Sequence, residues 1–169
     1  MPLLLKKVIF SIPIVVLLSG CGNNLQNRVA ERITQECDNK PMPNCKIELR
    51  TVTKFKWDKM YIFGSWTTSD SISKTIGFKY SGDDIGDDTQ RILFTNGKQI
   101  VYQEDIDYLN GSKKILFDDE NDSLFLSKKY YSPSEAIFRV NLDTTAEFAK
   151  FYLIRIKANN DTSKSNFKF

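Results

Sequence analysis

Ser71 and Lys74 stand three residues apart in "SISK", so a helix would set a hydroxyl and an amine one turn apart, the arrangement of a Ser-Lys nucleophile. The S-D-N and K-T-G elements that complete such a site are missing, and the chain is short for it. The four aspartates of "DDIGDD", residues 83 to 88, are hard oxygen ligands of the kind calcium prefers. They lack the D-x-[DN]-x-[DN]-G spacing and closing glutamate of a helix–loop–helix calcium site. Like "DDEND" at 118 to 122, they read as a solvated turn. The 21 acidic residues offer many carboxylate pairs for glycosidase-type chemistry, without singling one out. Histidine is absent altogether, which excludes Ser-His-Asp and Cys-His catalysis and every His-ligated zinc site. No catalytic residue, metal site or cofactor follows from these residues.

The remaining reactive side chains are Cys21, Cys37 and Cys45. Cys21 closes the leader "MPLLLKKVIFSIPIVVLLSGC", in which Lys6 and Lys7 precede an apolar run of eleven residues, Val8 to Leu18, interrupted by Ser11 and Pro13. Such a run is too short to cross a bilayer, which takes about 20 residues of helix, and has the proportions of a secretory signal. Leu18-Ser19-Gly20-Cys21 resembles the lipobox of bacterial lipoproteins: an aliphatic residue, two small residues and a cysteine. The small side chains let the backbone enter a membrane peptidase, and the thiol accepts a diacylglycerol. The resemblance implies cleavage before Cys21 and a mature chain held to the membrane by lipid on Cys21. Two or three acyl chains, at about 0.8 kcal/mol per buried methylene, suffice for stable anchoring. The next residue is Gly22 and not the aspartate tied to inner-membrane retention, so an outer-membrane position facing the periplasm is expected in a Gram-negative host.

Removing residues 1–20 leaves 149 residues, enough for one domain with a real core. Without the two leader lysines the balance is 22 basic against 21 acidic residues, net +1, and nothing points to nucleic acid. Lipid on Cys21 leaves Cys37 and Cys45 as an even pair, expected to form a disulfide in an oxidising compartment; a metal site would want two further soft ligands.

The elements that must carry these residues are readable in outline. "NNLQNRVAERITQEC" starts with asparagine caps and repeats Leu25, Val29, Ile33 and Cys37 at four-residue steps, a helix with one apolar stripe. Arg32 and Glu36 form an i,i+4 pair on it. "KIELRTVTKF" alternates as a strand, and "WDKMYIFGSW" is apolar on both sides, as a central strand would be. "TSDSISKTIGF" reads as a short helix with Ile72 and Ile76 on one face, stopped by Gly77. "RILFTNGKQIVYQ" reads as a hairpin with Asn96-Gly97 in a type I′ turn. "KKILFDDENDSLFLSKKYY" is expected as a second strand pair, and "EAIFRVNL" and "FAKFYLIRIK" as two more strands. The expected fold is α+β: one antiparallel sheet of about six strands, with an N-terminal helix and a short second helix on one face. The domain is placed at 21–158, with a flexible polar tail over 159–169.

The segment "FKWDKMYIFGSWTT" is the most distinctive of the mature chain. It resembles a W-D-x-x-Y-x-F-G-x-[YW]-T pattern of small, uncharacterised bacterial lipoproteins, which implies a fold and no activity. A candidate binding surface formed by Trp57, Asp58, Tyr61 and Trp66 competes with a plainer role for them as core aromatics on a central strand, with Asp58 capping a local turn. The whole reads as a non-catalytic, lipid-anchored protein with a protein partner. One form is an inhibitor or immunity lipoprotein against a toxin or hydrolase acting in the periplasm. The alternatives are an envelope assembly lipoprotein, or a hydrolase using carboxylates or a Ser-Lys pair.

Overall fold

A computed structural model describes residues 24–37, 44–107, 114–118, 130–143 and 150–155. The leader, Cys21 and the polar tail lie outside the described residues. The elements are α1 (Leu25–Cys37), β1 (Lys46–Glu48), α2 (Leu49–Val52), β2 (Lys59–Phe63), α3 (Ser69–Ile76), β3 (Thr89–Asn96), β4 (Gln99–Asp107), β5 (Lys114–Asp118), β6 (Ile137–Asp143) and β7 (Lys150–Arg155). The protein is α+β, as its sequence indicates.

Helix α1 follows its stripe: Leu25, Val29, Ile33 and Cys37 are all buried, and Arg32 pairs with Glu36 at 3.2 Å. The Asn24 side chain accepts from the Asn27 amide at 2.9 Å, satisfying one free donor of the first turn. The Leu25 amide donates to Glu104 Oε2 (2.8 Å) and to the Tyr102 hydroxyl (2.9 Å), which fixes the start of α1 against β4. At its other end Cys37 is disulfide-bonded to Cys45, with Cα atoms 5.5 Å apart, so the helix is fastened at both termini. Closing that loop contributes about 2.6 kcal/mol in the chain-entropy model.

The expected strand over "KIELRTVTKF" is corrected. Only Lys46–Glu48 is extended; Leu49–Val52 is a helical turn that buries Leu49 and Val52 three residues apart. The turn is closed locally: the Thr51 hydroxyl donates to the Glu48 carbonyl (2.8 Å) and the Thr53 amide to that of Leu49 (2.9 Å). The hairpin turn also differs. Asn96 pairs with Gln99, so the two-residue loop is Gly97-Lys98. Gly97 has φ 62° while Lys98 stays out of the left-handed region, which is the type II′ arrangement with glycine first, not type I′.

One antiparallel sheet is not what forms. The described strands divide into an antiparallel sheet of order β2-β3-β4 and a mixed sheet of order β1-β6-β7-β5, in which β5 runs parallel to β7. The proposed hairpin partner of β5 falls largely on 119–129, outside the described residues. Among the described residues the outer edge of β2 makes a single bridge, Met60 to Tyr131, with both amides donating at 2.8 Å. Beyond Tyr131 the chain turns away through Pro133, Ser134 and Glu135, with the Glu135 carboxylate accepting from the Ser132 amide at 3.0 Å.

Strand β3 explains the layering. From Gln90 to Thr95 every residue is buried, so both faces need cover. Ile92 and Phe94 face a core shared with α1, Trp57, Phe138, Val140 and Leu153; Leu93 faces a second core of Tyr61, Phe63, Ile72, Ile76, Tyr80 and Ile85. The two longer helices therefore pack on opposite faces of the three-stranded sheet and not on one. β3, flanked by β2 and β4, is its central strand, and β2 is an edge.

Candidate functional site

The four residues of the distinctive segment part company. Trp57 is buried beside α2, its Nε1 donating to Thr53 Oγ1 at 2.9 Å and its ring meeting Phe94 edge-on. The Asp58 carboxylate accepts from Thr95 Oγ1 (3.0 Å) and from the Gly97 amide (2.9 Å), clasping the end of the β3–β4 hairpin. Tyr61, 2% exposed, lies on the other face of β2 with its ring parallel to Phe63; burial pushes its hydroxyl pKa up. Trp66 is reached only after β2 has run its length, so it stands at the opposite end of the sheet from Asp58. Register places Lys59 opposite Thr95 and Phe63 opposite Arg91, which fixes that separation.

Trp66 is 71% exposed, and its φ of 65° is the left-handed conformation that bulky residues avoid. Its surroundings hold it there. The Ser65 hydroxyl donates to the Thr89 carbonyl and accepts from the Thr89 amide, both at 3.1 Å. The Trp66 amide donates to the Ile85 carbonyl (3.1 Å), and the Ile85 amide returns to that of Thr67 (3.0 Å). Thr67 Oγ1 closes onto the Gly64 carbonyl at 2.8 Å. Thr68 then caps α3 through its side chain, which accepts from the Ser71 amide. The Ser71 hydroxyl shares a 2.9 Å hydrogen bond with Thr68, a capping arrangement and not a bond to Lys74.

The acidic loop is the other half of this face. Ile85 is buried, while Asp83, Asp84, Asp87 and Asp88 around it are exposed. Asp84 Oδ1 accepts from the Ser69 amide at 2.6 Å, fastening the loop to the start of α3, where a negative charge also suits the helix dipole. A side chain at Gly82 would strike the Tyr80 ring. Beneath the loop lies Arg91, 4% exposed, which sequence reasoning overlooked. Its Nε and Nη2 donate to the two Asp105 oxygens at 2.6 and 2.7 Å; its Nη1 donates to the Tyr80 hydroxyl (2.8 Å) and the Asp83 carbonyl (2.6 Å). The Asp105 hydrogen bonds push the guanidinium pKa further up, so it is a permanent cation. The signal was a lone arginine at the head of the apolar run "ILF", paired across the hairpin with Asp105.

A second polar cluster lies under the start of α1. Arg28, 9% exposed, sits over the stacked rings of Phe55 and Tyr102, at 5.9 and 5.7 Å from their centroids. The Tyr102 hydroxyl donates to Glu104 Oε2 at 2.7 Å, and burial followed by that bond raises its pKa. Arg28 Nε and Glu104 Oε1 are buried and have no hydrogen-bond partner among the described residues. Among the described residues no three His, Cys, Asp or Glu side chains are grouped to hold a metal, and no helix is long and apolar enough to cross a membrane.

What the Trp66 turn and its loop can do is present an exposed aromatic on a fixed backbone beside carboxylates; among the described residues no nucleophile with a base accompanies them. No family model, no curated protein and no solved structure matches this chain.

Proposed function

We propose that this is a lipid-anchored binding protein of the cell envelope, held through Cys21, facing the periplasm and acting by occupying a protein partner. In its most specific form it is an inhibitor or immunity lipoprotein directed at a toxin or hydrolase working in that compartment. The observation that carries the binding part is Trp66: a 71% exposed tryptophan fixed in a left-handed turn by the Ser65–Thr89 and Trp66–Ile85–Thr67 hydrogen bonds. Tryptophan is over-represented among residues that dominate protein interfaces, and a pre-ordered backbone beneath one reduces the freedom lost on binding. The anchoring part rests on the leader and on α1, which begins at Leu25, four residues after Cys21, and is bonded there to β4. Four residues of chain span at most about 14 Å, so a lipid on Cys21 would hold the body close to the bilayer and raise its local concentration there.

Mass spectrometry of the full-length chain and its Cys21→Ser variant tests the anchor. The native protein is expected to lose residues 1–20, gain acyl mass and fractionate with membranes; the variant is expected to keep its leader and carry no lipid. A Cys21→Ser chain with the same mass shift and the same membrane fractionation overturns the reading.

A further inference from the structure

We infer that the partner docks on the face formed by Trp66 and the Asp83–Asp88 loop, and that what it brings is a protein surface with an apolar pocket rimmed by lysine or arginine. The inference rests on the binding reading above and names the partner's chemistry. Trp66 supplies the apolar element, a ring of the size that dominates interface energetics. The charge comes from its neighbours: residues 81–90 hold four aspartates and no basic residue, and Asp70 adds a fifth exposed carboxylate in the first turn of α3. This excess is local, because the chain without its leader is nearly balanced.

Those carboxylates are not consumed within the fold. Arg91 is spent on the Asp105 carboxylate, and it takes only the backbone carbonyl of Asp83. Asp84 gives one oxygen to the α3 cap. The carboxylates of Asp83, Asp87 and Asp88 enter no hydrogen bond or ion pair among the described residues, while the Asp87 backbone carbonyl accepts from the Thr89 hydroxyl. A lipid surface bearing anionic headgroups would be repelled by this rim, so the exposed tryptophan is not suited to lie in such a membrane. A cationic protein surface would be drawn to it, with the aspartates steering encounter and Trp66 setting how long the complex lasts. The hydrogen bonds that fix both segments mean the face exists before the partner arrives.

The test places a photoreactive benzophenone side chain at position 66 of the full-length chain, in the cells that make it, and compares it with the same chain carrying Asp87→Asn and Asp88→Asn. Asparagine tolerates the left-handed φ of 50° at position 88, so the pair removes charge without straining the loop. The expected result is an adduct to one partner protein, mapped to an apolar pocket flanked by basic residues. Its yield should fall about threefold or more in the double variant, and likewise when salt is raised from about 0.1 to about 0.5 M. A lipid adduct, an adduct to a second copy of this chain, a protein adduct indifferent to charge and salt, or no adduct from a chain whose Cys21 is acylated each overturns the inference. In all of those the anchor itself stands; a chain with no lipid on Cys21 overturns the anchoring instead.

Discussion

Trp66 illustrates a conflict between local preference and position. A left-handed φ costs a residue with a β-carbon about 1–2 kcal/mol, and here the cost falls on a side chain that is mostly in solvent. Trp66→Gly would relieve the backbone while removing little packing. The variant is expected to match or exceed the parent in thermal stability, by up to about 1 kcal/mol, and to bind the proposed partner about tenfold or more weakly. Thermal denaturation and binding on the same preparation check the pair of outcomes; a clear loss of stability would show that the ring packs as a structural element. At this scale the sequence showed residue types but not their surroundings. Trp57, Tyr61 and Trp66 are equally aromatic in the string, and only the burial of both faces of the sheet separates the first two from the third. Asp58 reads in the sequence as the cap of a local turn, but the turn it closes lies 39 residues away at Gly97, which no local pattern encodes.

Between elements, Gln90 makes the most economical contact. Its buried side-chain amide donates to the Phe117 carbonyl (3.0 Å) and accepts from the Phe117 amide (3.1 Å), so one side chain on β3 serves as a strand neighbour for β5. Gln90→Leu leaves both backbone groups of Phe117 buried without those partners and should destabilise by about 2–4 kcal/mol. Urea unfolding would read the loss, and hydrogen exchange should show the Phe117 amide opening first. The elements legible in the sequence were those with short-range periods: α1 from its four-residue stripe, α3 from Ile72, Ile76 and Gly77, and the 89–107 hairpin from the turn between two apolar runs. The 46–55 stretch misled because Ile47 and Leu49 alternate before Leu49 and Val52 take up helical spacing. What divides the two is the Leu49 amide bonding to the Ala136 carbonyl at 3.0 Å, a contact no local pattern encodes. The parallel pairing of β5 with β7 and the division into two sheets are long-range in the same sense.

For the molecule as a whole, β3 makes two cores depend on one strand, and a tyrosine beside each should make stability sensitive to alkali. Tyr61 lies in the smaller core and Tyr102 packs against the larger; burial raises both hydroxyls above their ordinary pKa of 10.0. Below that value both states are protonated and the full stability is present. As pH rises past it, the unfolded chain ionises first, binds fewer protons than the folded one and gains in population, so stability falls from there until the folded hydroxyls ionise too. Melting temperature against pH, followed alongside phenolate absorbance, should show this decline. Tyr61→Phe is expected to flatten part of it, and an unchanged slope would show that Tyr61 ionises alike in both states.

The strand order β1-β6-β7-β5 also has a consequence in time. β7 is the last described strand in the chain, yet it lies inside its sheet, between β6 and β5. For a chain emerging amino end first, β5 is out well before the strand that joins it to β6, while β6 precedes that strand closely. The edges of β5 and β6 that face β7 stay open until residues 150–155 appear, although β6 can already pair with β1. The four-stranded sheet thus joins into one only as the last of its described strands arrives, well after the β2-β3-β4 sheet is complete.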